Sequence, residues 1–98
     1  MAIAVIGDAP NRAMYERVSK MMFPEGVETP AGAIAHYAGE LPDGKVCIVD
    51  IWESREAYDR FRDEKLVPAL QEAGADMSGS GPELAEIFET YVNEDARV

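Results

Sequence analysis

The spacing of apolar and polar residues divides the chain into four strand-like and two helix-like stretches. AIAVIG is the first strand, and KVCIVDIWE at residues 45–53 is the strongest because it is rich in β-branched residues. GAIAHYAGE at residues 32–40 precedes it across the turn sequence LPDG, and this arrangement predicts a β-hairpin. ELAEIFETYV at residues 83–92 is the predicted last strand, and a polar tail follows over about 93–98.

The first helix is predicted between the first two strands. Met14, Val18 and Met21 recur there at helical spacing, with Tyr15 beside them. Asp8 or Asn11 can cap its N-terminus, because either side-chain oxygen accepts a hydrogen bond from a free backbone N–H group.

The second helix is predicted after Ser54, which is a favourable N-cap, and it carries Ala57, Tyr58 and Phe61 on one side. Proline lacks an N–H group and clashes with the preceding helical turn. We therefore expect a break before Pro68, then a short helix over residues 67–73 and a loop at residues 75–82.

The resulting order is β-α-β-β-α-β, the split βαβ or ferredoxin-like arrangement. It predicts an α+β domain spanning residues 1–98, with both helices on one face of a four-stranded antiparallel sheet. A chain of 98 residues has room for one such sheet, and the face of the sheet without helices must be exposed to solvent or covered by a partner.

The alternation of side chains along the hairpin predicts what lies on each sheet face. A turn centred near residues 41–43 places His36 opposite Ile48 and Ile34 opposite Asp50. The odd positions are expected to pack against the helices: Ala33, Ala35, Tyr37, Cys47, Val49 and Ile51. The even positions form the other face: Ile34, His36, Val46, Ile48, Asp50 and Trp52. This even face is too apolar for water, so we expect a homodimer packed through it and a cavity lined by His36, Asp50 and Trp52.

Composition and charge exclude several classes of function. The net charge of −10 disfavours nucleic acid and membrane surfaces as partners, because both are anionic. The single cysteine, Cys47, fits a cytoplasmic, reducing compartment and is expected to be an inert thiol. One histidine and one cysteine on opposite strand faces do not make a zinc site, and no nucleotide-binding motif is present. We therefore expect neither metal nor cofactor.

The runs VCIVDIWESREAYDRF and LVPALQEAG, in this element order, resemble the antibiotic biosynthesis monooxygenase-like proteins of the dimeric α+β barrel superfamily. The resemblance implies that two ferredoxin-like subunits form a barrel. Some members are cofactor-free oxygenases that convert aromatic polyketides to quinones, and others degrade heme. Heme-degrading members ligate iron through a helix histidine in the second half, whereas this chain has no histidine after His36.

In the cofactor-free oxygenases a tryptophan, a tyrosine six residues later and an asparagine four residues earlier shape the pocket. Trp52 and Tyr58 keep the first spacing, and Ile48 stands where those enzymes carry the asparagine. The resemblance therefore implies a substrate pocket, and the departure at Ile48 removes one of the polar groups of that pocket.

Two candidate catalytic residues follow from these patterns. His36 has an ordinary pKa near neutrality, which suits proton transfer, and Asp50 can orient it. Each also has a structural interpretation, namely a satisfied histidine at an interface and a carboxylate paired with an arginine or a backbone N–H group. The candidate residues for binding a substrate are Trp52, Tyr58, Ile34, Ile48 and Phe88. Trp52 fits core packing equally well, and a helix tyrosine at the spacing of Tyr58 is more often a core residue.

The expected function is that of a small cofactor-independent monooxygenase-like enzyme acting on an aromatic or polyketide-like small molecule. A non-catalytic small-molecule-binding or stress-related dimer is the alternative, and the missing asparagine favours it. A purely structural dimer without a ligand is a third hypothesis.

Overall fold

The computed structural model describes residues 1–79 and 81–93. Four strands are formed, β1 (Ile3–Ala9), β2 (Ala33–Glu40), β3 (Val46–Trp52) and β4 (Glu83–Glu86). The helices are α1 (Arg12–Met22), α2 (Arg55–Phe61) and α3 (Val67–Ala73). The sheet order is β2-β3-β1-β4 with antiparallel neighbours, which confirms the ferredoxin-like α+β fold. The expected polar tail lies outside the described residues apart from Asn93, as does Ser80 of the expected loop.

Side-chain caps begin the first two helices. Met14 donates its backbone N–H to the side-chain oxygen of Asn11 at 2.8 Å, whereas Asp8, the other predicted cap, lies within β1. Ala57 donates its backbone N–H to the hydroxyl of Ser54 at 3.1 Å, as the sequence predicts. In the part of the chain that is described, none of the helices has the length and apolar character needed to cross a membrane.

Pro68 does not break the helical path, which corrects the sequence expectation. A π-helical turn over Arg62–Leu66 joins α2 to α3, and the N–H of Val67 donates to the carbonyl of Arg62, five residues back. A proline ring clashes with the carbonyl four residues before it in an α-helix, and a wider turn relieves that clash. The helix then ends at Gly74, whose φ of 75° suits a residue without a side chain.

The face of the sheet that packs against the helices is the opposite of the one expected. Trp52 is only 2% exposed and packs against Tyr58 and Phe61 of the α2 region. The even positions of β3 therefore face the helices, together with Ile3 and Val5 of β1. Both sets of β3 positions are apolar, so the alternation alone does not choose between them, and burying the large indole decides the choice.

The open face, as we name the side of the sheet without helices, carries Ala4, Ile6, Ala35, Tyr37, Cys47, Val49 and Ile51. Tyr37 and Cys47 were expected against the helices, but Tyr37 is 59% exposed and Cys47 is half-buried on this face. The sheet thus presents a mostly apolar surface that no element of the described chain covers.

The register of the β2–β3 hairpin is shifted by two residues from the expected one. His36 pairs with Asp50 and Ala38 with Ile48, and a bulge between Ala33 and Ala35 leaves Ile34 as an extra residue. The turn is longer than assumed, since Glu40 pairs with Val46 and residues 41–45 form the loop. Within it Gly44, with a φ of 90°, donates its N–H to the carbonyl of Leu41. This shift keeps His36 and Asp50 on one face and places them directly opposite each other.

The last strand is shorter than the predicted range of residues 83–92. β4 ends at Glu86, which pairs with Ile3, the first residue of β1. Ile87 donates its N–H to the carbonyl of Ala2, and residues 88–92 belong to no strand. Phe88 is 96% exposed, and Tyr91 and Val92 are also exposed.

The placement of Trp52 can be tested by acrylamide quenching of its fluorescence, because it is the only tryptophan. Burial against Tyr58 and Phe61 is expected to give weak quenching in the native protein and strong quenching in urea. Strong quenching in the native protein would instead place the indole on the open face.

Candidate active site

Three polar side chains meet between the sheet and α1. His36 of β2 lies directly opposite Asp50 of β3, and their side chains share the face that the helices cover. Tyr15 of α1 reaches the histidine from the helix side, because the Asn11 cap begins the helix one turn earlier. The candidate pair from the sequence is therefore brought together, with a third member from a helix.

The hydrogen bonds of these groups define one direction of proton donation. Nδ1 of His36 bonds to the Oδ1 atom of Asp50, and Nε2 lies 2.6 Å from the hydroxyl oxygen of Tyr15. An ionised carboxylate only accepts hydrogen bonds, and a neutral imidazole carries a single N–H. The neutral histidine must therefore donate from Nδ1 to Asp50, which leaves Nε2 to accept the hydroxyl proton of Tyr15.

Asp50 makes His36 more basic. Its hydrogen bond to the imidazole raises the pKa of His36 above 6.5, and this effect exceeds the lowering by partial burial. Partial burial and the negative charge of Asp50 both raise the pKa of the Tyr15 hydroxyl above 10.0. Tyr15 is therefore protonated at rest, and the pKa of His36 lies above its ordinary value.

The three side chains are unequally exposed. The Asp50 side chain is 18% exposed and that of His36 is 49% exposed, so the carboxylate lies beneath the imidazole. The rings of Tyr15 and His36 lie nearly parallel, with an interplanar angle of 16° and centroids 6.2 Å apart. The imidazole is thus held between a carboxylate below and a tyrosine beside it while one edge faces solvent.

A shallow depression of about 270 Å³ lies along α1 and the loop after it. Its lining includes Tyr15, Ser19, Lys20, Phe23 and Val27. Neither His36, Asp50 nor Trp52 lines this depression, so it differs from the cavity expected from the sequence. Only Tyr15 connects the depression with the histidine and the carboxylate.

Trp52 and Tyr58, two of the predicted binding residues, belong to the core. Their rings are in edge contact at 5.9 Å, and both side chains are almost fully buried. The indole Nε1–H of Trp52 has no hydrogen-bond partner among residues 1–79 and 81–93. An unpaired buried N–H costs about 1–3 kcal/mol, which a water molecule or a ligand oxygen would offset.

The remaining candidates are dispersed. Ile48 is half-buried on the helix-covered face, next to Asp50 along the pleat. Ile34 is exposed at the bulge of β2, and Phe88 lies beyond the end of β4. In the described ranges, no group of three or more His, Cys, Asp or Glu side chains is placed to hold a metal ion.

Tyr15 is the residue that sequence reasoning missed as part of the site. In the sequence it lies beside the helical stripe of Met14, Val18 and Met21, and its hydroxyl has no evident role there. A hydroxyl on the inner side of a helix requires a polar partner on the sheet. The polar side chains His36 and Asp50 on the facing strands were the signal that could have identified it.

Comparison with solved structures supports the architecture. Protein Rv0793 of Mycobacterium tuberculosis superposes with a TM-score of 0.71 and 17% identity over 94% of this chain and 100% of that chain. A Chloroflexus aurantiacus protein provisionally named an antibiotic biosynthesis monooxygenase superposes with a TM-score of 0.66 and 13% identity, over 94% of this chain and 98% of that chain. A Deinococcus radiodurans protein with the same provisional name superposes with a TM-score of 0.55 and 12% identity, over 95% of this chain and 97% of that chain.

The chain has the fold of these antibiotic biosynthesis monooxygenase-like structures. The resemblance seen in VCIVDIWESREAYDRF and in the element order is thus confirmed at the level of architecture. No protein-family model matches the sequence, and no curated protein matches it either. At 12–17% identity the shared fold carries no residue roles from one protein to another, so the chemistry must be argued from this chain.

Nuclear magnetic resonance of the only histidine tests the hydrogen-bonded arrangement. We expect the neutral imidazole of His36 to carry its proton on Nδ1 and its pKa to lie above 6.5. Asp50→Asn should lower that pKa. Because the folded-state pKa is raised, the pair stabilises the fold below about pH 6.5 and this contribution is lost as the pH rises through the folded-state pKa. A neutral form protonated on Nε2 would contradict the arrangement.

Proposed function

We propose that this protein is a small enzyme that removes a proton from an activated carbon of an aromatic or polyketide-like molecule, as a cofactor-independent monooxygenase does. The observation that supports it is the placement of His36 between the Asp50 carboxylate and the Tyr15 hydroxyl, at the edge of the helix-covered face. A histidine with a raised pKa and a supporting carboxylate is suited to accept a proton near neutral pH.

The proposed reaction begins when the proton leaves a carbon next to a carbonyl group and its electron pair remains as an enolate. The proton reaches His36, and Asp50 stabilises the resulting imidazolium. Dioxygen is the oxidant: it accepts electrons from the carbanion, one oxygen atom becomes the new carbonyl, and the other leaves in water. The substrate CH₂ group is thereby oxidised to a ketone.

The non-catalytic binding protein remains the second candidate, and a specific observation favours it. Ile48 supplies no polar group, and Trp52 and Tyr58 pack against each other in the core rather than facing an open cavity. Binding of planar phenols without oxygen uptake is the outcome expected for this candidate.

Oxygen uptake with anthrone as the probe tests the catalytic proposal. His36→Gln removes the proton acceptor and is expected to lower the rate by about 10²–10⁴-fold, the usual contribution of a positioned base. Tyr37→Phe is the matched control, because it removes one hydroxyl from the neighbouring position on the open face. Unchanged turnover in His36→Gln would remove the histidine from the reaction.

We also propose that two copies of the chain associate through their open faces to form the dimeric α+β barrel. The open face includes the exposed Ile6 and Tyr37, and the segment after β4 exposes Phe88, Tyr91 and Val92. Apolar patches of this kind are typical of interfaces, and a second copy would cover both regions at once. The expected interface thus uses the odd positions of β3, not the even positions that the sequence suggested.

Light scattering at micromolar concentration is expected to give the mass of a dimer. Ile6→Asp places a charge at the centre of the open face and should produce a monomer. Ala13→Asp is the control, since it adds the same charge to an exposed position of α1. A wild-type monomer at that concentration would reject the barrel.

A further inference from the structure

We propose that Tyr15 is the catalytic residue that contacts the substrate, and that His36 and Asp50 act through it as positioning residues. The preferred substrate is a planar molecule whose C–H or O–H proton is acidified by a neighbouring carbonyl. This inference rests on the proposed function, and it differs from direct attack by the histidine.

The first argument is that both ring nitrogens of His36 are already engaged. Nδ1 bonds to Asp50, and Nε2 accepts from the Tyr15 hydroxyl at 2.6 Å. A substrate proton therefore finds no free nitrogen lone pair unless the tyrosine moves away. The Tyr15 oxygen, in contrast, donates its one proton to the imidazole and keeps lone pairs that can accept another.

The second argument is position. Tyr15 contacts the histidine through its hydroxyl and also lines the depression of about 270 Å³, and it is the one member of the three that does so. Phe23, Pro24 and Val27 give the depression apolar walls suited to a flat ring. Lys20 is on the same rim, where its ammonium group can stabilise an oxyanion that forms on the substrate carbonyl.

The charges explain why Tyr15 cannot work alone. Burial and the negative charge of Asp50 disfavour a resting phenolate. As Tyr15 accepts the substrate proton, its own proton must pass to Nε2 of His36. The substrate then holds the electron pair as an enolate, Tyr15 is again neutral, and the new imidazolium donates from both nitrogens, to Asp50 and to Tyr15. One proton has moved in each of two hydrogen bonds, and the negative charge lies beside Lys20.

This relay has the logic of a serine–histidine–aspartate triad, with a phenol in place of the serine hydroxyl. Asp50 fixes the tautomer and compensates the imidazolium, His36 holds the proton, and Tyr15 contacts the substrate. The relay ends in proton transfer and forms no covalent bond to the substrate.

Proton exchange of anthrone in deuterated water without oxygen separates this step from oxidation. We expect the wild-type protein to accelerate exchange at the acidic carbon. Tyr15→Phe and His36→Gln should each slow that exchange by about 100-fold or more. Tyr37→Phe, which removes a hydroxyl from the open face, should match the wild type. Asp50→Asn should move the acid limb of the pH profile to lower pH, a change that a merely structural role would not produce.

The outcomes distinguish the two proposals. Exchange that is slowed in His36→Gln but normal in Tyr15→Phe would overturn the role of Tyr15 and leave the proposed function standing. No acceleration by the wild-type protein would overturn the proposed function and the relay with it. Slowing in both variants, with a normal control, supports the relay.

A measurement on the wild-type protein alone provides a second test in case Tyr15→Phe does not fold. In the relay, the exchangeable hydroxyl proton of Tyr15 moves in the same step as the carbon-bound proton, so the initial rate of oxygen uptake with anthrone should fall in deuterated water. Direct abstraction of the carbon-bound proton by His36 moves no exchangeable proton in that step. A solvent isotope effect close to unity on that rate would overturn the relay.

Discussion

Burial of the Trp52 indole is the constraint on which the rest of the arrangement depends. Side chains alternate along a strand, so the placement of one residue decides the placement of every other residue on that strand. With Trp52 packed against Tyr58 and Phe61, Asp50 and Ile48 must also face the helices. Pairing with β2 then brings His36 to the same side, beneath α1. A single large apolar side chain thus determines where the titratable pair lies.

The helix-covered face holds polar groups that need hydrogen-bond partners, and the fold supplies these only in part. Asp50 lies under the imidazole and bonds to Nδ1, while the Tyr15 hydroxyl occupies Nε2. Close by in the sheet, the indole N–H of Trp52 has no partner in the described residues. A polar group left unpaired in a core costs free energy. The helix-covered face therefore combines a satisfied polar network with one unsatisfied donor.

The open face and the segment after β4 follow from the same placement. Once the helices cover the even positions of β3, the odd positions and Tyr37 have no cover within the described chain. β4 ends where β1 begins, and Phe88, Tyr91 and Val92 beyond it are exposed. The catalytic proposal and the dimer proposal thus concern opposite sides of the sheet and can be tested independently.

Local signals in the sequence determined the element order, the Ser54 cap, the end of the last helix at Gly74 and the hairpin, because caps and turns depend on residues within one or two helical turns. Its candidate pair, His36 and Asp50, also came together. Three features were decided only by tertiary structure. The covered face depended on where the indole packs, since both faces of β3 are apolar. The register depended on how β2 pairs with β3 across the sheet, which sets His36 opposite Asp50 and leaves residues 41–45 as the loop. The third member of the site, Tyr15, came from a helix whose contact with the sheet no local pattern specifies.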